Sequence, residues 1–305
     1  MALRRVVVTG ASGLIGSRLV ARLKDQGAQV TALTRDPERT ASLLAGTQAE
    51  KWDPLAEAAP SAVISGADAV FHLAGENVAQ RWNASAKQAI RDSRAIGTAN
   101  LVAGIAAADP RPGVLVSSSA IGYYGPHGEE PLDEEAPPGR DFLAEVCVEW
   151  ESAANAARQL GVRVVTIRTG VVLDASGGAL GKMLPPFKAG VGGPVAGGAQ
   201  YMPWIHADDV VGIMVAAAEG ENWTGAVNAT APEPLTNRDF SKLLGKVLGR
   251  PAVFPVPGFA IRAMYGEMAQ IVTTGARVMP AKALVNGYEF KYPSAEGALR
   301  SALED

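Results

Sequence analysis

The sequence predicts an α/β fold built on a doubly wound parallel sheet, with a smaller, mixed C-terminal part. Two observations carry this expectation. Short β-branched runs alternate with longer helical segments through the first 170 residues, the pattern of parallel strands covered on both faces. The first run ends in a glycine-rich stretch that opens a helix. Strand, turn and helix in that order are how such sheets hold phosphate groups.

Apolar runs at Arg5–Thr9, Gln29–Thr34, Asp68–Ala74, Gly113–Ser117 and Val162–Arg168 are the expected strands. Between them Leu14–Gln26, Ala84–Ala108 and Asp141–Leu160 carry helical periodicity. After Thr169 the texture changes. Residues 174–200 are rich in glycine and proline and read as loop with one short helix. A helix is expected near Asp208–Ala218, a strand near Ala226–Ala229, and helices near Asn237–Leu248 and Gly258–Gln270. The expected division is therefore a nucleotide-binding domain over 1–170 and a smaller substrate-binding part over 171–305, some of which returns to the sheet.

Composition excludes several function classes. With 48% hydrophobic and 19% charged residues, the 305-residue chain is ordinary for a globular protein and long enough to bury a large core. A net charge of -3 leaves no basic field for nucleic acid. The single cysteine, Cys147, rules out an intramolecular disulfide and a Cys-rich metal site. It fits a reducing cytoplasm, the expected location. His72, His127 and His206 are too far apart for a metal-ligand spacing. The apolar run behind Arg4 and Arg5 is only Val6 to Val8, too short for a secretory core. Nothing approaches the ~18 consecutive apolar residues of a spanning helix. A small molecule is the expected partner, without nucleic acid or membrane.

The strongest motif is Val6-Val-Val-Thr-Gly10-Ala-Ser-Gly13-Leu-Ile-Gly16. Gly10 permits a tight turn, Gly13 lets backbone approach a pyrophosphate, and Gly16 lets the helix pack on the strand. Ser12, Leu14 and Ile15 complete the turn and helix start whose amides bind phosphate. This is the glycine fingerprint of an NAD(P)-binding Rossmann fold, here spaced GxxGxxG. The second strand ends in Thr34 and Arg35. An acidic side chain there would bond a ribose 2′-OH, whereas arginine accommodates a 2′-phosphate, so NADP(H) is the expected cofactor and NAD the alternative. Asp36 precedes Pro37 and suits a helix N-cap. Leu73, Ala74, Gly75 and Glu76 follow the fourth strand, where small residues leave room for a ligand. Arg94, on the long helix beyond, is a candidate for the pyrophosphate, with a solvated helical arginine the alternative. Trp52-Asp53 either packs near the adenine or forms a surface turn.

The stretches TGASGLIG (Thr9–Gly16), HLAGENV (His72–Val78), SSSAIGYYG (Ser117–Gly125), FLAEVCVEWE (Phe142–Glu151), RTGVVL (Arg168–Leu173), PWIHADD (Pro203–Asp209) and GYEFKYP (Gly287–Pro293) resemble the extended short-chain dehydrogenase/reductases. That group contains the nucleotide-sugar epimerases. The likeness is greater to its atypical branch of epimerase family proteins, and it covers nearly the whole chain. It implies an NADP(H)-binding oxidoreductase or epimerase-like protein acting on a small carbonyl or sugar-like substrate. Arg168 enters as a further candidate cofactor contact.

Typical members of that superfamily carry Tyr-x-x-x-Lys on the helix after the fifth strand. The lysine lowers the tyrosine pKa so that it can move a proton at a substrate oxygen, which a serine helps polarise. Ser119 fits the serine position. None of the six tyrosines has a lysine four residues on. The two dyad positions hold Phe142 and Val146, or Leu143 and Cys147, depending on register. Tyr124 is the candidate phenol and Tyr123 the competing choice; Glu145 and Cys147 are candidates from the helix. Arg81, Trp82 and Lys87 suit an anionic or ring-bearing substrate. Asp208 or Asp209 is expected to cap the following helix, with His206 structural. Residues Met183–Gly198 read as a mobile substrate loop. The missing dyad supports the alternative of a non-catalytic NADP(H)-binding redox sensor or regulatory protein.

Overall fold

The computed structural model describes residues 2–304; Met1 and Asp305, the outer ends of the two expected parts, lie outside them. Strands β1 (Arg5–Thr9), β2 (Gln29–Thr34), β3 (Gln48–Lys51), β4 (Ala69–His72), β5 (Val114–Ala120), β6 (Arg163–Thr169) and β7 (Gly225–Ala229) form one sheet. Their order is β7-β6-β5-β4-β1-β2-β3, and every pair is parallel. The chain starts at β1, winds outward to β3, and returns across β1 to β4 before running out to β7. The winding reverses between β1 and β4, where open α/β sheets bind ligands.

Strand alternation builds both faces at once. Val6 and Val8 join the layer of α1 (Leu14–Asp25), while Val7 joins the opposite layer. Helices α2 (Pro37–Leu43), α3 (Ser61–Ile64), α4 (Ala84–Ala106) and α5 (Phe142–Asn155) follow in the first half. The second half carries α6 (Gly178–Lys188), α7 (Ala207–Glu219), α8 (Asn237–Leu248), α9 (Gly258–Tyr265), α10 (Gln270–Thr273), α11 (Ala281–Val285) and α12 (Ala295–Glu304). Leu19 and Leu23 of α1 pack with Ile213 and Met214 of α7 over Val8 and Phe71. On the other face Leu101 and Ile105 of α4 pack with Ile64 over Val70, Leu115 and Val164. Each such side chain contributes about 1.5–3 kcal/mol by leaving water. A third core joins Leu180, Leu184 and Phe187 of α6 to Phe240 and Leu244 of α8 and Leu299 of α12.

Three local expectations are corrected. β3 has no apolar run, because Gln48-Ala-Glu-Lys51 is a short edge strand with one neighbour. The first part of the expected mobile loop, Met183 to Lys188, is helical and anchored by Leu184 and Phe187. The cap of α7 is His206, whose Nδ1 accepts from the Asp208 amide at 3.1 Å. Asp209 is fully buried and accepts from the amides of Lys291 (2.7 Å) and Tyr292 (3.0 Å) and the Tyr288 hydroxyl (3.1 Å). It thereby fastens the C-terminal tail to α7. Asp36 caps α2 through the Arg39 amide at 3.0 Å. Among the described residues, no helix is long and apolar enough to cross a membrane and no His/Cys/Asp/Glu cluster could hold a metal.

A buried relay joins β1 to β4 just below the ligand edge. Thr9 Oγ1 accepts from the amides of Leu73 and Ala74, both at 3.2 Å. Its proton is then directed to His72 Nδ1 at 2.7 Å, and His72 Nε2 donates to Thr98 Oγ1 at 2.9 Å. Burial, then the Arg94 charge, pulls the imidazole pKa from 6.5 down to about 4. The unfolded chain therefore binds the extra proton first as pH falls. Stability held above pH 6.5 is lost progressively between 6.5 and 4, up to about 3 kcal/mol in total. Urea midpoints are expected to fall from pH 7.5 to pH 5, and less so in His72→Asn; identical pH dependence in the two proteins would contradict the buried neutral ring.

Candidate cofactor and reaction site

Backbone shape makes the groove at the C-terminal edge of β1. Gly10 adopts φ +68°, and a Cβ there would stand 2.6 Å from the Leu73 carbonyl carbon. A Cβ on Gly16 would stand 2.2 Å from the Gly10 oxygen, so only glycine lets α1 sit this close to the turn. Gly13 caps α1 without a side-chain bond, and the first turn carries no acidic residue. The amide end of the helix dipole is thus open to an anion.

The groove has a volume of about 270 Å³. Gly10, Ala11, Ser12 and Gly13 line it from the turn, Leu33, Thr34 and Arg35 from the end of β2, Trp52 and Pro54 after β3, and Leu73, Ala74 and Gly75 after β4. Leu14, Ile15 and Gly16 continue from the turn as the first residues of α1, and Glu76 lies one residue beyond Gly75. Arg35 is exposed, and no hydrogen bond or ion pair ties it among the described residues. Asp36 spends its carboxylate on the α2 cap. Trp52 is a buried wall, not a surface turn: its amide donates to Thr34 O at 2.8 Å and its indole to Glu57 O at 3.0 Å. Pro54 was not legible, since nothing local marks a proline after an edge strand as a groove wall.

Arg94 underlies the Gly75 end of this groove. Its Nη1 donates to the carbonyls of Glu76 and Ile90, each at 3.1 Å. The guanidinium carbon lies 4.9 Å from the Trp150 ring centroid and would be 3.3 Å from a Cβ on Gly75.

The reaction side is organised differently. Arg168, expected as a cofactor contact, is a buried cation with several protein partners. Its Nε and Nη2 clamp Glu151 at 2.8 and 2.9 Å, Nη1 donates to Tyr124 Oη (3.0 Å) and Glu134 O (3.2 Å), and the plane covers Tyr123 at 3.4 Å. Burial alone would lower its pKa, but the bonds and charge of Glu151 raise it above the usual arginine value. Tyr124 is enclosed likewise. It is fully buried, its hydroxyl donates to Asn228 Oδ1 at 2.7 Å, and burial pushes its pKa up to about 12 against the pull of Arg168. Ser119 keeps its place near the end of β5, but its hydroxyl donates to Glu151 Oε1 at 2.7 Å. In this arrangement that proton is directed to a carboxylate.

Of the two registers, Leu143 and Cys147 face the end of β5. Both approach Gly122, whereas Val146 packs with Trp82, Ile90 and Met268, and Phe142 meets Trp82 edge-on at 5.2 Å. The Cys147 thiol lies 3.7 Å from Ala120 O; burial, then the Glu151 charge, pushes it up to about 12. Glu145 is exposed and pairs with Arg91 at 3.0 Å. Lys87 pairs with Glu267, Trp82 is a core residue, and Arg81 is exposed beside Gly266.

The sequence model of the NAD dependent epimerase/dehydratase family matches residues 6–228, and a domain of unknown function, DUF1731, matches residues 256–302. The chloroplastic homologue of epimerase family protein SDR39U1 from Arabidopsis thaliana is 40% identical over 98% of this chain and 86% of its own. The crystal structure of human epimerase family protein SDR39U1 (isoform 2) with NADPH superposes with a TM-score of 0.88 at 34% identity, covering 99% of each chain. UDP-glucuronic acid 4-epimerase from Bacillus cereus, solved with UDP-glucuronic acid and NAD, shares the fold at a TM-score of 0.78 and 17% identity, covering 98% of each chain.

A buried thiol held protonated is inert, because the thiolate is the nucleophile. Iodoacetamide at pH 8 is expected to leave Cys147 unmodified in the native protein and to alkylate it promptly in denaturant. Rapid native labelling, read by mass spectrometry, would return Cys147 to the reactive candidates.

Proposed function

The chain belongs to the NAD dependent epimerase/dehydratase family, and we propose that it binds NADP(H) as an epimerase-like oxidoreductase acting on a small carbonyl or sugar-like substrate. The observation that carries the cofactor choice is Arg35. Among the described residues it stands unpaired at the end of β2, while the neighbouring carboxylate of Asp36 is tied into a helix cap. A guanidinium there suits a 2′-phosphate and offers nothing to a bare 2′-OH that a carboxylate would not do better. Thr34 sits beside it. The amides of Ser12, Leu14 and Ile15 are the donors for a pyrophosphate in this reading, while the Gly13 amide closes the turn onto Gly10 O at 3.1 Å. Trp52 and Pro54 wall the adenine side. Leu73 to Glu76, with Arg94 beneath, bound the other end. When bound, the nicotinamide supplies the hydride chemistry, and the protein supplies orientation. Residues 1–170 serve the cofactor and 171–305 chiefly the substrate, with β7 returning to the sheet. The human relative's NADPH-bound crystal structure supports the cofactor, and the single buried thiol supports a reducing cytoplasm.

Losing a charge-assisted phosphate contact costs about 1.5–3 kcal/mol. Arg35→Ala is therefore expected to weaken NADPH binding roughly 10- to 100-fold and NADH binding little. Equal losses by calorimetry would refute the 2′-phosphate assignment.

One observation favours a second reading, a non-catalytic NADP(H)-binding redox sensor. Ser119, Tyr124 and Cys147 are all buried with their protons committed or held. Turnover of NADPH against a broad carbonyl panel is expected of the oxidoreductase. Tight binding with no turnover, and a partner that distinguishes NADPH from NADP+, is expected of the sensor.

A further inference from the structure

We propose that Arg94 makes this site prefer the reduced cofactor, because its fixed charge beneath Gly75 repels the cationic nicotinamide ring of NADP+ and leaves the neutral ring of NADPH unopposed. The inference rests on the NADP(H) reading and adds a redox preference to it.

Position along the sheet supplies the argument. Arg35 follows β2, the glycine turn follows β1, Gly75 follows β4, and Ala120 ends β5. Those four strands are neighbours, so their ends span three strand spacings, about 14 Å. A dinucleotide anchored by Arg35 and crossing the glycine turn thus brings its other end over β4 and β5. Arg94 is the cation built into that end. It rises from α4, stacks on Trp150 of α5, and acts electrostatically on Cys147, whose sulfur lies 3.7 Å from Ala120 O.

The charge is only partly compensated locally: the Glu76 carboxylate acts on it electrostatically, without forming an ion pair among the described residues. Nη1 binds two carbonyls, while Nε and Nη2 have no acceptor among the described residues. No carboxylate forms an ion pair with Arg94, and the nearby carboxylate of Glu151 is clamped by Arg168. Gly75 leaves the guanidinium without a side chain over it. A guanidinium keeps its charge at any physiological pH. In a half-buried setting such a charge acts through an effective dielectric well below that of water.

The test is calorimetric titration of the full chain with NADPH, NADP+ and 2′,5′-ADP. Wild type is expected to bind NADPH roughly tenfold or more tighter than NADP+. Arg94→Gln is expected to reduce that ratio to about threefold or less, and Arg94→Lys to retain most of it. Affinity for 2′,5′-ADP, which carries no nicotinamide, is expected to be the same in all three. Equal affinities for NADPH and NADP+ in wild type, or a ratio undiminished in Arg94→Gln, would overturn the inference while leaving the cofactor reading intact. Failure of wild type to bind either form would remove both. Should Arg94→Gln not fold, Arg94→Met, which keeps the stem and removes the charge, reads the same ratio with the same two outcomes.

Discussion

The buried pair of Arg168 and Glu151 is the interaction on which the reaction half of the structure depends. Taking two charges out of water costs several kcal/mol each, and only excellent geometry with further hydrogen bonds offsets it. Here the pairing is bidentate, Ser119 gives Glu151 another donor, and Tyr124 and the Glu134 carbonyl take the remaining Arg168 donor. The chain of contacts continues from Tyr124 to Asn228 of β7, whose amide bonds Glu134, and from Glu134 to the Lys282 amide at the start of α11. One ion pair therefore ties α5, β5, β6, β7 and the C-terminal part into a unit. A half-satisfied version of the same network would be worse than an apolar core.

The cofactor half obeys the opposite requirement. It must present unsatisfied backbone amides and empty space, so glycine and small residues dominate and side-chain networks are kept out. The two halves meet at the ends of β4 and β5. There the polar groups that sequence patterns mark as reactive are already engaged. Ser119 and Tyr124 sit near where the family chemistry would need them, but their hydrogen-bonding capacity is spent on holding the frame.

This contrast explains what was legible in the sequence. The glycine turn, Arg35 and the Asp36 cap are local features, each decided within a few residues, and the groove follows from them. β3 was not legible because an edge strand of four residues needs no apolar run. The bonding of Tyr124 and Arg168 was not legible because their partners lie 104 and 17 residues away along the chain. Parity does carry a signal for Arg168. Val165 and Ile167 face the α1 and α7 layer, and Val164 faces the α4 layer. Arg168 shares the parity of Val164, so it turns toward α5 rather than along the groove.

The neutral thiol of Cys147 and the guanidinium of Arg94 are compatible neighbours for one electrostatic reason. Cys147 occupies the lysine position of the register that faces the end of β5, between Glu151, whose charge raises its pKa, and Arg94, whose charge lowers it. A lysine there would place a second cation against a guanidinium that burial already disfavours. Like charges in a desolvated pocket oppose each other's ionisation, so the neutral thiol is the compatible neighbour. Without the lysine, a tyrosine at Leu143 would lack the cation that makes it acidic near neutral pH. An apolar leucine packed beneath Gly122 then serves the fold better than an idle phenol. In this chain the cation at that end of the sheet stands on α4, and its neighbour on α5 is a neutral thiol.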